Sequence, residues 1–209
     1  ILGGELGDGR VFLCNSGTEA IEGALKLAAV LGGKRREIVA CRRAFHGRSC
    51  GALGLTFNPK YRAPFTSLIP AAKHYAPEDI PAKISNETLA VFIEPVQGGR
   101  RLSHSRRGGT GHHRLPRAWR AADRRRGDAA SAVQLLSLRR KRAYAGYHCL
   151  AKGLAGGMPA GIVWRGELGD FPPHSHGSTA AATSLQARLI AALKYIKKTA
   201  LPQRRQARL

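Results

Sequence analysis

The stretch from Asn15 to Thr18 combines residue types that can bind a phosphate group. Asn15, Ser16 and Gly17 interrupt an apolar run at residues 11–13, and a helical pattern begins at Thr18. Such a turn directs several backbone N–H groups and the positive end of a helix toward one point, which favours an anion. The alternative interpretation is an ordinary strand-to-helix turn in which Ser16 or Thr18 serves as the helix N-cap.

The segments around this turn predict an α/β fold. Apolar residues recur at helical spacing after Thr18, and residues 11–13 and 37–41 are apolar runs typical of buried strands. A strand, a helix and a second strand form a βαβ unit, which implies a parallel sheet covered by helices. Further strands are predicted at 89–93 and 161–164. An amphipathic helix is predicted at 185–198.

The basic charge of the chain is concentrated in one segment. The 209 residues carry a formal net charge of +22, and residues 100–148 hold 14 Lys and Arg against two acidic residues. High positive charge is typical of nucleic-acid-binding proteins, which interleave aromatic residues with their basic clusters. This segment holds only Trp119, Tyr144 and Tyr147. We therefore expect no nucleic-acid partner, and a basic nucleic-acid-binding protein is kept as the alternative from another functional class.

Cysteine usage and hydropathy predict a cytoplasmic protein. The four cysteines show no CxxC pairing, which suits a reducing compartment better than a disulfide framework. No leader is visible and no apolar run approaches the roughly 20 residues of a membrane span. His104, His112 and His113 have no Cys or acidic residue at a useful ligand spacing, so no metal site is expected.

Four ordered motifs resemble class-III (ornithine-type) aminotransferases, which use pyridoxal phosphate. NSGTEA at 15–20 is similar to the loop that binds the cofactor phosphate, and FHGRS at 45–49 to the segment after the second strand. EPVQG at 94–98 and LAKGLAGG at 150–157 follow in the family's order, and HGST at 176–179 resembles a further element. The sequence of residues 51–70 most resembles the family branch that acts on carrier-protein (LysW)-bound lysine or ornithine intermediates. It resembles acetylornithine aminotransferases next.

The resemblance implies a role for each matching residue. An aromatic face suits a flat pyridine ring, and a guanidinium binds a carboxylate through two N–H groups. The resemblance implies that Lys152 is the catalytic residue that binds the cofactor covalently. The remaining expectations are phosphate or cofactor binding by Ser16, Gly17, Thr18 and His46, ring stacking by Phe45, substrate binding by Arg48 and Glu94, and contact of Thr179 with the cofactor phosphate of a neighbouring subunit.

The resemblance stops between residues 100 and 148. Family members carry a strand here that ends in Asp-Glu-x-Gln, and its Asp pairs with the pyridine nitrogen. No Asp-Glu pair exists in this segment, Gln134 has no acid three residues before it, and Gly99 stands where the family has a second Glu. Residues 117–126 are compatible with a helix, and residues 132–138 with a short strand or helix. We hypothesise that 100–148 is translated out of frame and that the native frame returns near Leu150.

The sequence thus predicts an incomplete three-layer α/β large domain of the fold-type-I PLP-transferase class, with a mainly parallel sheet. We divide the chain into a first large-domain part at 1–99, an anomalous Arg-rich segment at 100–148, a part with the covalent lysine at 149–198 and a basic tail at 199–209.

The implied function is transamination from acetylornithine, or from a carrier-bound lysine or ornithine type donor, to 2-oxoglutarate in arginine or lysine biosynthesis. A homodimer and an amino-group carrier protein are the expected macromolecular partners. Because the expected Asp is missing, we predict weak or no activity. A non-catalytic degenerate paralogue is the further alternative.

Overall fold

The structure is a computed structural model that describes residues 9–94, 132–139, 142–165, 169–177 and 183–199. The strands are β1 (Arg10–Cys14), β2 (Glu37–Cys41), β3 (Ala72–Tyr75), β4 (Thr88–Ile93), β5 (Ala132–Arg139), β6 (Arg142–Leu150) and β7 (Gly161–Arg165). The α-helices are α1 (Gly17–Leu31), α2 (Cys50–Leu55), α3 (Pro59–Arg62), α4 (Ile80–Lys83) and α5 (Thr183–Thr199). Short 3₁₀ turns occur at Ala63–Phe65 and Lys152–Ala155. No helix within these ranges has the length and hydropathy of a membrane span.

The described strands form one sheet in the order β1-β7-β6-β5-β4-β2-β3. β2 pairs in parallel with β3 and with β4. The pairs β4 with β5, β5 with β6, β6 with β7 and β7 with β1 are antiparallel. The predicted α/β class is confirmed, whereas the expectation of a mainly parallel sheet needs correction, since parallel pairing is confined to β2, β3 and β4.

A short connection explains the antiparallel centre of the sheet. β5 ends at Arg139 and β6 begins at Arg142. Parallel neighbours need a crossover of a dozen or more residues, whereas two residues can join only antiparallel strands. Residues 132–138, which the sequence left open between strand and helix, therefore form the first strand of a hairpin. β6 also runs across the boundary that we predicted between residues 148 and 149.

Strand directions bring four segments to one edge of the sheet. β1, β2, β4 and β6 all run the same way, because β5 and β7 each reverse the direction between their neighbours. The residues that follow these four strands therefore meet at a single edge, where β5 begins. Binding sites of α/β proteins commonly lie beyond the carboxyl ends of strands.

Helices cover both faces of the sheet, as a three-layer fold requires. On one face, α1 buries Ala20, Ile21, Ala24, Leu27 and Ala28 against alternate strand residues such as Ile38, Ala40, Phe92 and Val163. On the other face, Val39, Val91 and Ile93 pack with Ile80 of α4, and Leu150 and Ile162 pack with Leu189 of α5. The period of two along β2 and β4 thus divides their side chains between two apolar layers.

Candidate active site

A cavity of about 530 Å³ lies at the edge where β1, β2, β4 and β6 end. Pockets for small ligands typically enclose about 300–1,000 Å³. The described residues that were predicted to form a site all line this cavity: Ser16, Gly17, Thr18, Phe45, His46, Arg48, Glu94 and Lys152. Thr179, predicted to act on a neighbouring subunit, lies outside the described residues.

The N-terminus of α1 is built to present free N–H groups to the cavity. Ser16 is the N-cap, and its hydroxyl oxygen accepts a hydrogen bond of 3.3 Å from the N–H of Glu19. The Glu19 carboxylate in turn accepts a 2.6 Å bond from the N–H of Asn15. The first backbone bond of the helix joins Ala20 N–H to Ser16 O at 3.1 Å. The N–H groups of Gly17 and Thr18 precede that bond, so they are available to an anion at the positive helix end.

In the structure, the turn before α1 can be both a helix cap and a phosphate-binding turn. A hydroxyl oxygen that accepts the capping bond still has its own hydrogen to donate, so Ser16 can cap the helix and contact a phosphate. A Cβ at Gly17 would lie 3.0 Å from the Cβ of Ala151. A glycine therefore allows the helix start to approach the residue before Lys152 closely.

The Thr18 hydroxyl is engaged within the protein. It lies 2.6 Å from the Ser49 hydroxyl and accepts a 3.3 Å bond from the Ser49 N–H. The Ser49 hydroxyl donates to the carboxylate of Glu22, which also accepts a 3.1 Å bond from the N–H of Ala52. Because a carboxylate can only accept, Ser49 gives its hydrogen to Glu22 and Thr18 gives its hydrogen to Ser49. The phosphate contact that the sequence predicts for Thr18 would therefore use its backbone N–H.

The loop after β2 follows a backbone path that requires glycine at position 47. Gly47 has φ of 136°, and a Cβ there would lie 2.3 Å from the Thr18 hydroxyl oxygen. The loop is closed by Thr56, whose hydroxyl accepts bonds from the N–H groups of His46 (2.9 Å) and Gly47 (3.2 Å) and donates to Gly47 O. This path places Phe45, His46 and Arg48 at the cavity.

His46 is a buried polar side chain whose ring nitrogens lack partners among the described residues. It is 3% exposed, and neither Nδ1 nor Nε2 makes a hydrogen bond. Its ring contacts Phe92 edge-on with 6.0 Å between centroids. Burial, with a smaller effect from His74, lowers the pKa of His46 to about 3. The neutral ring offers one donor and one acceptor beside the cavity.

Glu94 ties the end of β4 to the loop after β2. It is 5% exposed, and its Oε2 accepts a 2.9 Å hydrogen bond from the N–H of Phe45. The carboxylate therefore orients the backbone that carries the Phe45 ring, in addition to the substrate-binding role predicted for it.

Lys152 has a backbone conformation that is rare for residues with a side chain. It follows the carboxyl end of β6, lines the cavity and has φ of 60°. The left-handed region costs an L-residue about 1–2 kcal/mol. Strain of this kind clusters at functional positions, which makes the outlier an argument for function.

The buried cysteine thiols at the site stay protonated. Burial raises the pKa of Cys149, a cavity-lining residue, and raises the pKa of Cys14 to about 12. A thiol rather than a thiolate is a poor nucleophile. Among the cavity-lining residues, the Lys152 amine is therefore the best candidate for covalent chemistry. Within the described ranges, no group of three or more His, Cys, Asp or Glu could hold a metal ion.

Sequence reasoning missed two groups of contacts around the site. Glu22 and Ser49 link α1 to the loop after β2, and Tyr61 touches both Phe45 and Arg48. The sequence did hint at the link between α1 and the loop, because Thr18 and Glu22 are four residues apart and so lie on one helix face. Nothing local marked Tyr61, because its contacts depend on how α3 packs.

Comparison with solved structures identifies the fold. The ornithine aminotransferase of Toxoplasma gondii ME49 superimposes with a TM-score of 0.71 and 21% identity, over 97% of this chain and 53% of that chain. An adenosylmethionine-8-amino-7-oxononanoate aminotransferase from Methanocaldococcus jannaschii gives a TM-score of 0.68 and 19% identity, over 98% and 54% of the two chains.

Sequence comparison identifies the family. Residues 1–105 match the model of the family Aminotransferase class-III. The acetylornithine aminotransferase of Methanopyrus kandleri is 35% identical over 207 residues, which cover 93% of this chain and 52% of that protein. A putative [LysW]-aminoadipate semialdehyde/glutamate semialdehyde transaminase of Pyrococcus furiosus is 50% identical over 91 residues, 42% of this chain and 25% of that protein. This chain spans about half the length of the first of these relatives. With half of its residues matched to the family model, the chain belongs to the class-III aminotransferases.

Proposed function

We propose that this chain forms the cofactor-binding part of an aminotransferase that moves an amino group from acetylornithine, or from a carrier-bound lysine or ornithine type donor, to 2-oxoglutarate. Relatives named as acetylornithine aminotransferases and [LysW]-aminoadipate semialdehyde transaminases support this choice of donor. The family implies pyridoxal phosphate as the cofactor. Arginine or lysine biosynthesis in the cytoplasm is the corresponding metabolic setting.

The residues present fit pyridoxal phosphate. The α1 N-terminus offers the Gly17 and Thr18 N–H groups and the Ser16 hydroxyl to a phosphate. His46 offers ring nitrogens that have no partner in the described part of the chain, and Phe45 offers an aromatic face to a planar ring. When bound, the cofactor supplies an aldehyde and an electron-accepting pyridine ring.

The single observation that carries the proposal is Lys152, held in a left-handed backbone conformation at a cavity beside a helix N-terminus. Its Nζ would hold the cofactor covalently at the aldehyde and, once the amino group of the donor has replaced it there, the free amine would take the proton from the donor's α-carbon. Arg48 would hold the donor's α-carboxylate through its N–H groups. Glu94 would fix the Phe45 backbone while the substrates exchange.

We also propose that activity is impaired in this chain. Glu94 is the acidic residue among the described cavity-lining residues, and it is already bonded to the Phe45 N–H. β5 runs antiparallel to β4, so its carboxyl end lies at the opposite edge from the cavity. The protonated pyridine nitrogen of the cofactor would then have no acidic partner. By analogy with broken buried ion pairs, its charged state would be less stable by about 3–5 kcal/mol. Turnover of acetylornithine and 2-oxoglutarate at ordinary transaminase rates would contradict impairment.

The absorbance of added pyridoxal phosphate tests cofactor binding independently of turnover. We expect the wild-type chain to show a new band near the visible–ultraviolet border, because an amine bound to the aldehyde extends its conjugation. Lys152→Ala should lose the band. Lys60→Ala, which removes a lysine from exposed α3, should keep it. A band of equal height in Lys152→Ala would refute the assignment of this lysine.

Dimerisation and the carrier protein are further parts of the proposal. A homodimer would place Thr179 of one subunit beside the cofactor phosphate of the other. Sedimentation of the loaded chain tests the dimer, which a monomeric mass would contradict. Co-sedimentation with an amino-group carrier protein tests that partner.

A further inference from the structure

Tyr61 of α3 contacts the side chains of Phe45 and Arg48, two residues that line the cavity. The guanidinium carbon of Arg48 lies over the Tyr61 ring, 4.1 Å from its centroid. The Phe45 ring meets Tyr61 edge-on, with 6.4 Å between centroids and 88° between planes. Phe45 and Arg48 line the cavity, and Tyr61 is not among the described residues that do so. Tyr61 therefore lies behind the two residues that face a ligand.

The position of Tyr61 is held by a stiff single turn. Asn58 caps α3 by accepting a 3.0 Å bond from the N–H of Lys60, and Pro59 occupies the first turn. The Tyr61 N–H donates to the Asn58 carbonyl oxygen at 3.2 Å. Proline and a side-chain cap limit the freedom of such a turn. The turn thus restrains the backbone that carries the Tyr61 ring, and the residue is 36% exposed.

An aromatic partner has a specific consequence for Arg48. Among the described residues, no carboxylate lies within 4.0 Å of its guanidinium. A carboxylate partner would occupy the N–H groups at the edge of the guanidinium. A ring attracts the guanidinium through its π electrons without accepting the paired hydrogen bonds that a carboxylate takes, so those N–H groups stay available for bidentate binding.

We propose that Tyr61 is a positioning residue that holds the Arg48 guanidinium at the cavity mouth with its N–H edge directed to a substrate carboxylate. The proposal rests on the proposed function for the identity of the ligand. The contact fixes Arg48 before the ligand arrives, so less side-chain freedom is lost on binding. Tyr61 would accordingly raise affinity for carboxylates without contacting them.

The affinity of the full chain for glutarate, an unreactive dicarboxylate, tests the proposal by calorimetry with and without pyridoxal phosphate. We expect Tyr61→Leu to weaken glutarate binding about twofold to fivefold, the range of an exposed cation–π contact. Tyr61→Phe keeps the ring face and should keep the wild-type affinity. Phe65→Leu, a change of an exposed aromatic residue in the adjacent turn, is the matched control and should also bind normally.

A double-mutant cycle separates positioning from a general structural effect. In an Arg48→Gln background, Tyr61→Leu should cause no further loss of glutarate affinity, since the two residues act as one unit. Equal affinity of Tyr61→Leu and wild type, a loss that persists without Arg48, or no glutarate binding by the wild type would each overturn the proposal. If the cofactor band is absent but Tyr61→Leu still weakens glutarate binding, the proposed function is overturned and the positioning role of Tyr61 is not.

Discussion

His46 shows at the scale of one residue how the cavity is prepared for a ligand. Its ring is buried, and its nitrogens have no partner within the described residues. A buried polar group without a partner costs about 1–3 kcal/mol, so a ligand that bonds the ring would recover part of that free energy. The residue also makes stability depend on pH.

We expect acid to destabilise the fold through His46. Its folded pKa of about 3 is below the ordinary value of 6.5, because burial disfavours the charged ring. As the pH falls, His46 is protonated in the unfolded chain before it is protonated in the folded one. Its contribution to the free energy of unfolding is therefore complete above pH 6.5 and is lost between about pH 6.5 and pH 3. Urea unfolding should show that wild type loses about 2 kcal/mol more than His46→Gln between pH 7 and pH 5. Equal losses in the two proteins would contradict the effect.

Lys152 provides a second test at the scale of one residue. Its φ of 60° suits glycine better than alanine. We expect Lys152→Gly to be more stable than Lys152→Ala by about 1 kcal/mol in urea unfolding. At Lys60, inside α3, the order should reverse, because glycine is unfavourable in a helix. The opposite order at Lys152 would show that the left-handed conformation is not maintained.

At the scale of an element, the start of α1 has two neighbouring hydroxyls with different tasks. The Ser16 hydroxyl caps the helix and keeps a hydrogen for a ligand, whereas the Thr18 hydroxyl is held by Ser49 and, through it, by Glu22. This chain of bonds ties α1 to the loop that carries Arg48. We therefore expect the Thr18 hydroxyl to act as a structural link and not to contact a phosphate.

Variants of the two hydroxyls should therefore separate binding from stability. Ser16→Ala should weaken pyridoxal phosphate about tenfold or more, the range of a hydrogen bond to a charged group, and reduce stability by about 1 kcal/mol as a lost cap. Thr18→Val should leave cofactor affinity nearly unchanged while costing about 1–3 kcal/mol, because Ser49 loses its partner. Absorbance titration and urea unfolding measure both quantities. Stronger loss of cofactor affinity in Thr18→Val than in Ser16→Ala would contradict this division of tasks.

At the scale of the whole molecule, the β5–β6 hairpin joins the two sides of the sheet. It lies between β4, which leads to Glu94, and β7, which pairs with β1, the strand before the turn at residues 15–17. The family model matches residues 1–105 and so reaches six residues into the Arg-rich segment, and the out-of-frame origin of 100–148 stays a hypothesis. Resequencing of the coding DNA tests that hypothesis, and an intact gene with the segment confirmed by peptide mass would refute it.

Disruption of the hairpin should affect stability and cofactor binding together. Leu136 pairs with Val91 on one side and with Ala145 on the other, so proline there removes a ladder donor from a central strand. We expect Leu136→Pro to cost about 3 kcal/mol or more and to lose the cofactor band. Leu136→Val is the matched control and should retain both. Normal stability of the proline variant would mean that β5 does not join the sheet.

Local pattern was informative wherever one segment decides its own conformation. The sequence predicted a turn and a helix start after residues 11–13, and the structure has both there. It also predicted that Lys152 lies among small residues. Tyr61 and the Glu22–Ser49 link were missed because each joins segments far apart in the chain, and no local periodicity reports such packing.

The sequence by itself determined the α/β class, the order of the motifs and the family, because these depend on hydrophobic period and on short runs of residue types. Only the tertiary structure decided that β1, β2, β4 and β6 end at one edge and that β5 runs against β4. Strand direction depends on connection length and pairing, which residue types alone do not encode. The same packing turned separate motifs into one cavity, with Lys152, the α1 N-terminus and Arg48 facing it.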